Sequence, residues 1–343
     1  MQVIYSEKHA LHDPVRAFAN GMELQHVESP ARAERILEAA ETAGHDIVSA
    51  RSYGPGVLES VHAAELVAYL RGAYEPWVEA GMSPDGVIPS TFPRRPPREA
   101  SRAVKGRAGR FCFDTETPIG ARTFEAAFAS AACALTGADL LAGGARAAYA
   151  LCRPPGHHAG PDYFGGYCYV NNAALAAEWL RTGGGEPVRV AVLDLDYHHG
   201  NGTQEIFYES GDVLYVSVHA DPRAAYPYYW GFADERGAGA GEGRNLNLLL
   251  PENTAEDDYR SVLGDALKAV GEFRPEYLVV SLGTDTAGED RLGSFGLSVE
   301  SFRRLGRRVA GAGLPILVVQ EGGYNLETIG PCVTEFLAGL EGQ

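Results

Sequence analysis

Cysteine is scarce and scattered in this 343-residue chain: Cys112, Cys133, Cys152, Cys168 and Cys332 never fall in C-x-x-C spacing. That pattern excludes a disulfide framework and a thiolate-bound structural zinc, and it fits reduced thiols in a cytoplasmic protein. Lysine is scarcer still, with Lys8, Lys105 and Lys268 alone among many arginines, which reads as a compositional bias and not as a functional signal. Net positive charge is lacking: the formal charge of -16 argues against neutralising nucleic-acid phosphates and suits cationic ligands or plain solubility. No apolar run approaches membrane-spanning length, and the opening MQVIYSEKHA has no charged-then-apolar signal pattern. The expectation is a soluble cytoplasmic protein with no membrane or nucleic-acid partner. Internal repeats and interdomain linkers are missing too, so one domain over 1–343 is expected.

Strand-like runs recur at Val3–Tyr5, Ala147–Cys152, Val188–Leu193, Val213–Val218, Tyr277–Leu282 and Pro315–Gln320. Between several of them lie alanine-rich, helix-period stretches: Pro30–Ala43, Phe124–Ala142, Ala173–Arg181 and Ser298–Ala312. Such alternation predicts an α/β protein with a mainly parallel sheet between helical layers. Met82–Phe113 reads as a long irregular insertion, rich in proline and arginine (Pro93, Arg94, Arg95, Pro96, Pro97, Arg98). Loops of that length in a compact domain are usually functional or disordered. The glycines of Gly231–Gly243 resemble a dinucleotide loop only superficially, because the strand-like Asn245–Pro251 follows and no helix does.

Four strand ends carry unusual residues. They are Arg153-Pro-Pro-Gly-His157-His158-Ala-Gly160, Asp194-Leu-Asp196-Tyr-His198-His-Gly200, Ser281-Leu-Gly-Thr-Asp285 and Glu321-Gly-Gly-Tyr324. Four of the ten histidines fall in the first two, and an open parallel sheet presents its site where its strands end. In extended chain alternate residues share a face, so Asp194, Asp196 and His198 are expected to point one way. Asp196, His198 and Asp285 together offer two carboxylates and one imidazole to a divalent cation. Three protein ligands leave a coordination position open, which is the catalytic pattern. Such a metal lowers the pKa of its water to roughly 7 and polarises a carbonyl. His157 and His158 would move protons. Asp194 would hydrogen-bond one imidazole, and Asn201 would hold the other without adding charge. Tyr324 would donate to a developing oxyanion. Individually, His157-His158 could be a structural pair, Asp285 a helix cap and Tyr324 a turn residue. Jointly they describe metal-assisted amide hydrolysis without a serine or cysteine nucleophile.

At these residues the chain resembles the histone deacetylase superfamily, with its arginase/deacetylase fold, and within it the bacterial acetylpolyamine amidohydrolases. RPPGHHAG, FGGYCYVNNAA, DLDYHHGNGTQ, SLGTD and EGGY carry the resemblance, which runs over nearly the whole length. It implies zinc at Asp196, His198 and Asp285, with Fe2+ or Co2+ as substitutes. It implies catalytic roles for His157, His158 and Tyr324, and structural potassium at Asp194, Asp196, His198, Ser217 and Val218, with a second such site at Phe207, Ser210 and Val213. Tyr167, Tyr226 and Leu292 would wall a substrate tunnel, with Glu116 in a loop at its mouth. The implied substrate is a small acetylated polyamine or diamine, with protein acetyl-lysine as the alternative. A dinuclear manganese ureohydrolase and a non-catalytic binding protein on the same fold are further alternatives. The 82–113 insertion would pack two subunits together and narrow the entrance. Asn201, where many histone deacetylases have Asp, implies a place in the class II-like and amidohydrolase branch. Two departures concern charge: Pro14–Ala19 supplies no carboxylate to the mouth, and Lys105 with its neighbouring arginines is expected to make the rim basic.

Overall fold

The computed structural model describes residues 1–94, 101–183 and 185–342. Ten strands are present among them: β1 (Gln2–Tyr5), β2 (Arg16–Ala19), β3 (Met22–Gln25), β4 (Asp46–Ser49), β5 (Ala147–Ala150), β6 (Val190–Asp194), β7 (Val213–Ala220), β8 (Asn245–Leu250), β9 (Tyr277–Leu282) and β10 (Ile316–Gln320). Eight form one sheet in the order β4-β1-β5-β10-β9-β6-β7-β8, every neighbouring pair parallel. The central strands are β-branched and apolar on both faces, as a sheet buried between two helical layers requires. Alternation sorts them cleanly. Ala191, Leu193, Leu278, Val280, Ile316 and Val318 pack into one core with the helices Pro30–Thr42, Glu256–Phe273, Val299–Ala310 and Ile329–Leu340. Val190, Val192, Val279, Leu317 and Val319 pack into the other with Thr123–Ala142 and Asn172–Thr182.

Thr123–Ala142 corrects one reading of the sequence: this helix of 20 residues, with an 18-residue stretch at mean hydropathy 1.3, is long and apolar enough to cross a membrane. The structure uses that length inside the fold, with 72% of that 18-residue stretch buried. The Met82–Phe113 stretch is less irregular than expected, since Val104–Phe111 is helical and a bridge ties Val87 to Ile119. Arg95, Pro96, Pro97 and Arg98 lie outside the described residues.

The sheet order sets the site. From β6 the chain proceeds outward through β7 and β8, then returns to β9 on the other side of β6 and continues to β10. The crevice beyond the carboxyl ends of β6 and β9 is therefore a topological switch point, where parallel sheets leave room for a ligand. The four polar motifs follow β5, β10, β9 and β6, which are immediate neighbours in the sheet.

Candidate active site

The chain does not continue as strand past Asp194; it bends. Asp194 Oδ1 accepts the backbone N–H of Asp196 (3.2 Å), and Asp196 Oδ1 accepts that of His198 (2.9 Å). This bend, and not strand alternation, separates the three residues. Asp196 and His198 turn toward β9, while Asp194 turns toward the histidine loop after β5. Ligand atoms of Asp196, His198 and Asp285 all lie within 4.8 Å of one another. His198 Nδ1 is 3.0 Å from Asp285 Oδ2 and 3.3 Å from Asp196 Oδ1. The backbone N–H groups of Tyr197 and Gly322 fix the outer carboxylate oxygens, at 3.1 Å to Asp285 and 2.8 Å to Asp196. Gly283 and Gly322 close the cradle, and a Cβ at either would collide with both carboxylates.

A divalent cation suits this donor set. Two buried carboxylates pressed together are costly unless something positive lies between them. In the bare protein, protons serve instead. Burial and the Asp196 charge push the Asp285 carboxyl up to about 7. Burial would likewise raise Asp196, but His157 and His198 outweigh it and hold that carboxyl well below its usual range. Burial opposes charge on His198, yet Asp196 and Asp285 lift it to about 9. Among the described residues no second cluster of this kind occurs.

His157 and His158 lie beside the cradle with ring centroids 4.0 Å apart, and their surroundings differ. His157 Nδ1 is 3.1 Å from Asp194 Oδ2, which also accepts the Tyr215 hydroxyl (2.9 Å). Burial works against a proton on His157, but Asp196 and Asp194 outweigh it and raise the imidazole to about 10. His158 Nδ1 instead meets the neutral Asn201 Oδ1 at 2.7 Å. Burial, then His157 and His198, hold its pKa well below the ordinary value. Tyr324 completes the ring. Arg32 lies over its face at 4.8 Å and Tyr167 meets it edge-on at 5.7 Å. Its hydroxyl has no hydrogen-bond partner among the described residues, and burial keeps the phenol protonated.

A cavity of about 530 Å³ opens over this floor. His158, His198 and Tyr324 reach its base, and Glu116, Tyr167, Tyr226 and Leu292 all line it. Its charged lining is Asp114, Glu116, Glu252 and Arg291. Among the described residues of the arginine-rich insertion, none brings the expected basic charge to this lining. Arg94, Arg102, Lys105, Arg107 and Arg110 are not lining residues; Arg110 pairs with Asp162 at 2.7 Å and Arg107 lies over the Tyr69 ring.

A profile of the histone deacetylase domain matches residues 26–340. The chain belongs to the histone deacetylase family. It is an enzyme of that family of hydrolases. It is 43% identical to acetylpolyamine amidohydrolase 1 of Pseudomonas aeruginosa, covering 100% of this chain and 99% of the relative. Acetylpolyamine amidohydrolase of Mycoplana ramosa is 42% identical, with both chains covered completely. Among solved structures, acetylpolyamine aminohydrolase from Burkholderia pseudomallei superposes with a TM-score of 0.94 at 40% identity, over 99% of this chain and 98% of its own.

For a histone deacetylase family member, the residues named for potassium sit in two places. Ser217 pairs in register with Asp194, and its hydroxyl lies 2.8 Å from His219 Nδ1. Val218 follows it on β7. Phe207 and Ser210 share one turn, in which the Ser210 N–H donates to the Phe207 carbonyl (2.9 Å), and Val213 opens β7 just beyond it.

Several supporting residues escaped the sequence reading. Glu321 stood in a quoted motif without a role. Its buried carboxylate accepts the N–H groups of Gly156 (2.7 Å) and His157 (3.1 Å) and the Ser281 hydroxyl (3.1 Å), tying the histidine loop to β9 and β10. Burial, opposed by His157, leaves it raised to about 7. Glu28 is the buried hub between Arg153 (2.7 Å) and Arg32 (2.9 Å), and Arg32 donates onward to the carbonyls of Glu321 and Gly323. Asp114 Oδ2 accepts the Gly166 N–H (2.5 Å) and the Tyr226 hydroxyl (3.3 Å), joining two walls of the cavity. The hairpin β2–β3 supplies Ala17, Ala19, Leu24 and Gln25 to the mouth. One local signal announced it: Asn20-Gly21, both with positive φ (53° and 75°), is the preferred two-residue hairpin turn.

Proposed function

We propose that this protein is a zinc-dependent deacetylase that hydrolyses the N-acetyl amide of small acetylated polyamines or diamines, releasing acetate and the free amine. One observation carries the reading: a cavity with carboxylates in its wall ends on Asp196, His198 and Asp285, with two unlike imidazoles and a phenol unpartnered among the described residues beside them. Zinc bound by those three residues would polarise the acetyl carbonyl and lower the pKa of the attacking water. His158, kept neutral by burial and by the neighbouring His157 and His198 and facing the cavity, takes the proton from water as it adds to the carbonyl carbon. Tyr324 donates its free hydroxyl to the oxygen that gains charge. The C–N bond then breaks, and the departing nitrogen collects a proton from the imidazole pair. His157, paired with Asp194, retains positive charge near the developing oxyanion. Glu116 and Asp114, on the cavity wall, favour a substrate whose distal end is cationic.

The same reading carries a single domain over 1–343, structural potassium beside Asp194 and Ser217, and a homodimer joined through the 82–113 segment. A cytoplasmic setting accords with five free, buried cysteines. A single three-donor cluster among the described residues favours this reading over a dinuclear ureohydrolase. The deciding experiment measures kcat/KM on acetylputrescine, acetylspermidine and an acetyl-lysine peptide with the zinc-loaded enzyme. Faster cleavage of the acetylated amines is expected; faster cleavage of the peptide would replace the substrate assignment with protein deacetylation.

A further inference from the structure

Tyr324 is held in an unusual way for a residue asked to aim one oxygen. Its hydroxyl is tied to no other described residue, so the direction of the phenol depends on the backbone from Gly323 to Asn325 and on what packs against the ring. Arg32 secures one side of that segment through the Gly323 carbonyl. The other side is secured by Asp290. One oxygen of Asp290, Oδ2, accepts the N–H of Tyr324 (2.6 Å) and of Asn325 (3.0 Å). The other, Oδ1, accepts the N–H of Leu292 (3.0 Å). Asn325 reinforces the junction by donating its side-chain amide to the Glu289 carbonyl (2.9 Å). Charge-assisted hydrogen bonds of this kind are shorter and stronger than neutral ones. A single half-buried carboxylate thus staples the loop after β9, which carries both Asp285 and the cavity-wall residue Leu292, to the loop after β10, which carries Tyr324.

We infer that Asp290 is a positioning residue that aims the Tyr324 hydroxyl at the reacting carbonyl by joining these two loops. The inference rests on the reading of the site given above. Its consequence is geometric. Without the staple the segment keeps the Arg32 contact at Gly323 and the Asn325 bond to the Glu289 carbonyl, but the Tyr324 N–H between them loses its acceptor, and the phenol loses its fixed direction while the metal ligands keep theirs. Misplacement of a reacting group by about 1 Å costs on the order of 100-fold in rate.

The test is a double-mutant cycle on the zinc-loaded enzyme, comparing Asp290→Ala, Tyr324→Phe and the combination. Asp290→Ala is expected to lower kcat on the order of 100-fold with KM little changed and zinc content full. Combined with Tyr324→Phe it is expected to add no further loss, because residues that act through one group are not additive. Asp290→Asn retains one oxygen for the Tyr324 and Asn325 N–H groups, so an intermediate kcat is expected, and this variant decides the matter if the alanine protein does not fold. Wild-type kcat in Asp290→Ala overturns the proposal, as does a full extra loss in the Tyr324→Phe background. Wild-type kcat in Tyr324→Phe alone would instead overturn the functional reading itself, so the two failures are told apart.

Discussion

At the floor of the cavity the side chains come from the ends of four adjacent strands, whereas at its mouth they come from a hairpin and loops scattered from Ala17 to Leu292. The floor is buried, its carboxylates and imidazoles bound to backbone N–H groups or to one another. The mouth is open, with Leu24 at 40% and Leu292 at 37% exposure. The contrast separates two jobs. A floor that must present fixed charges to one ion needs the stiffest part of the fold, because a buried charge without its partner is costly. A mouth that selects the rest of the substrate works on solvent-exposed groups, each worth little. Changes at the floor should therefore be severe and those at the mouth graded.

Asp285→Ala removes a ligand and leaves Asp196 and His198 facing a gap. Loss of retained zinc after dialysis, and of turnover with it, is expected; a variant that still carries one zinc per chain would show that the cradle is misassigned. Tyr324→Phe comes next, with turnover falling on the order of 100-fold or more while zinc is kept. Undiminished turnover would remove the phenol from the chemistry. Proton competition is milder. Asp285 near 7 and His198 near 9 both hold protons that a cation must displace. The sign follows: both groups gain their protons as pH falls, so zinc affinity should weaken on going from pH 9 to pH 6. The slope should be about tenfold per pH unit for each proton released. Competition with a calibrated chelator would measure it, and an affinity flat over that range would contradict the ionisation states argued for the bare site.

The same contrast explains what could be read from the chain. Asp194–Gly200 advertises itself because strand, turn and ligands are consecutive, so local pattern and tertiary placement coincide. Even there the bend after Asp194 was hidden, since alternation assumes extended backbone and the Asp side chains bond the backbone instead. Glu28 and Arg32 look like an ordinary i, i+4 surface pair; only the fold reveals that they are buried with Arg153, behind Tyr324. The helix Glu256–Phe273 was legible but unread: Tyr259, Leu263, Ala266, Val270 and Phe273 recur at helical spacing and are all buried. For the described residues of the insertion the expected rim charge does not reach the cavity, because proximity to Glu116 along the sequence is not proximity in space. Arginines a few residues away along a helix and loop turn to Asp162 and Tyr69 instead.

The smallest effect probes the mouth. Glu116 is half-buried, its carboxyl raised by burial and by Asp114, and its Oε2 accepts the Tyr167 hydroxyl at 3.1 Å. Glu116→Gln keeps an oxygen for that hydroxyl and removes only the charge, so the tunnel wall should stand. For a substrate with a cationic tail the lost attraction is that of a partly exposed ion pair, a KM increase on the order of fivefold at low salt with kcat unchanged. An uncharged acetamide of the same length should be indifferent to the change, because it never used the carboxylate. Adding salt should erase the difference for the cation in the wild-type enzyme as well, by screening. Equal KM shifts for charged and neutral substrates would mean that Glu116 acts through Tyr167 as a wall residue, and that the mouth selects by shape instead of charge.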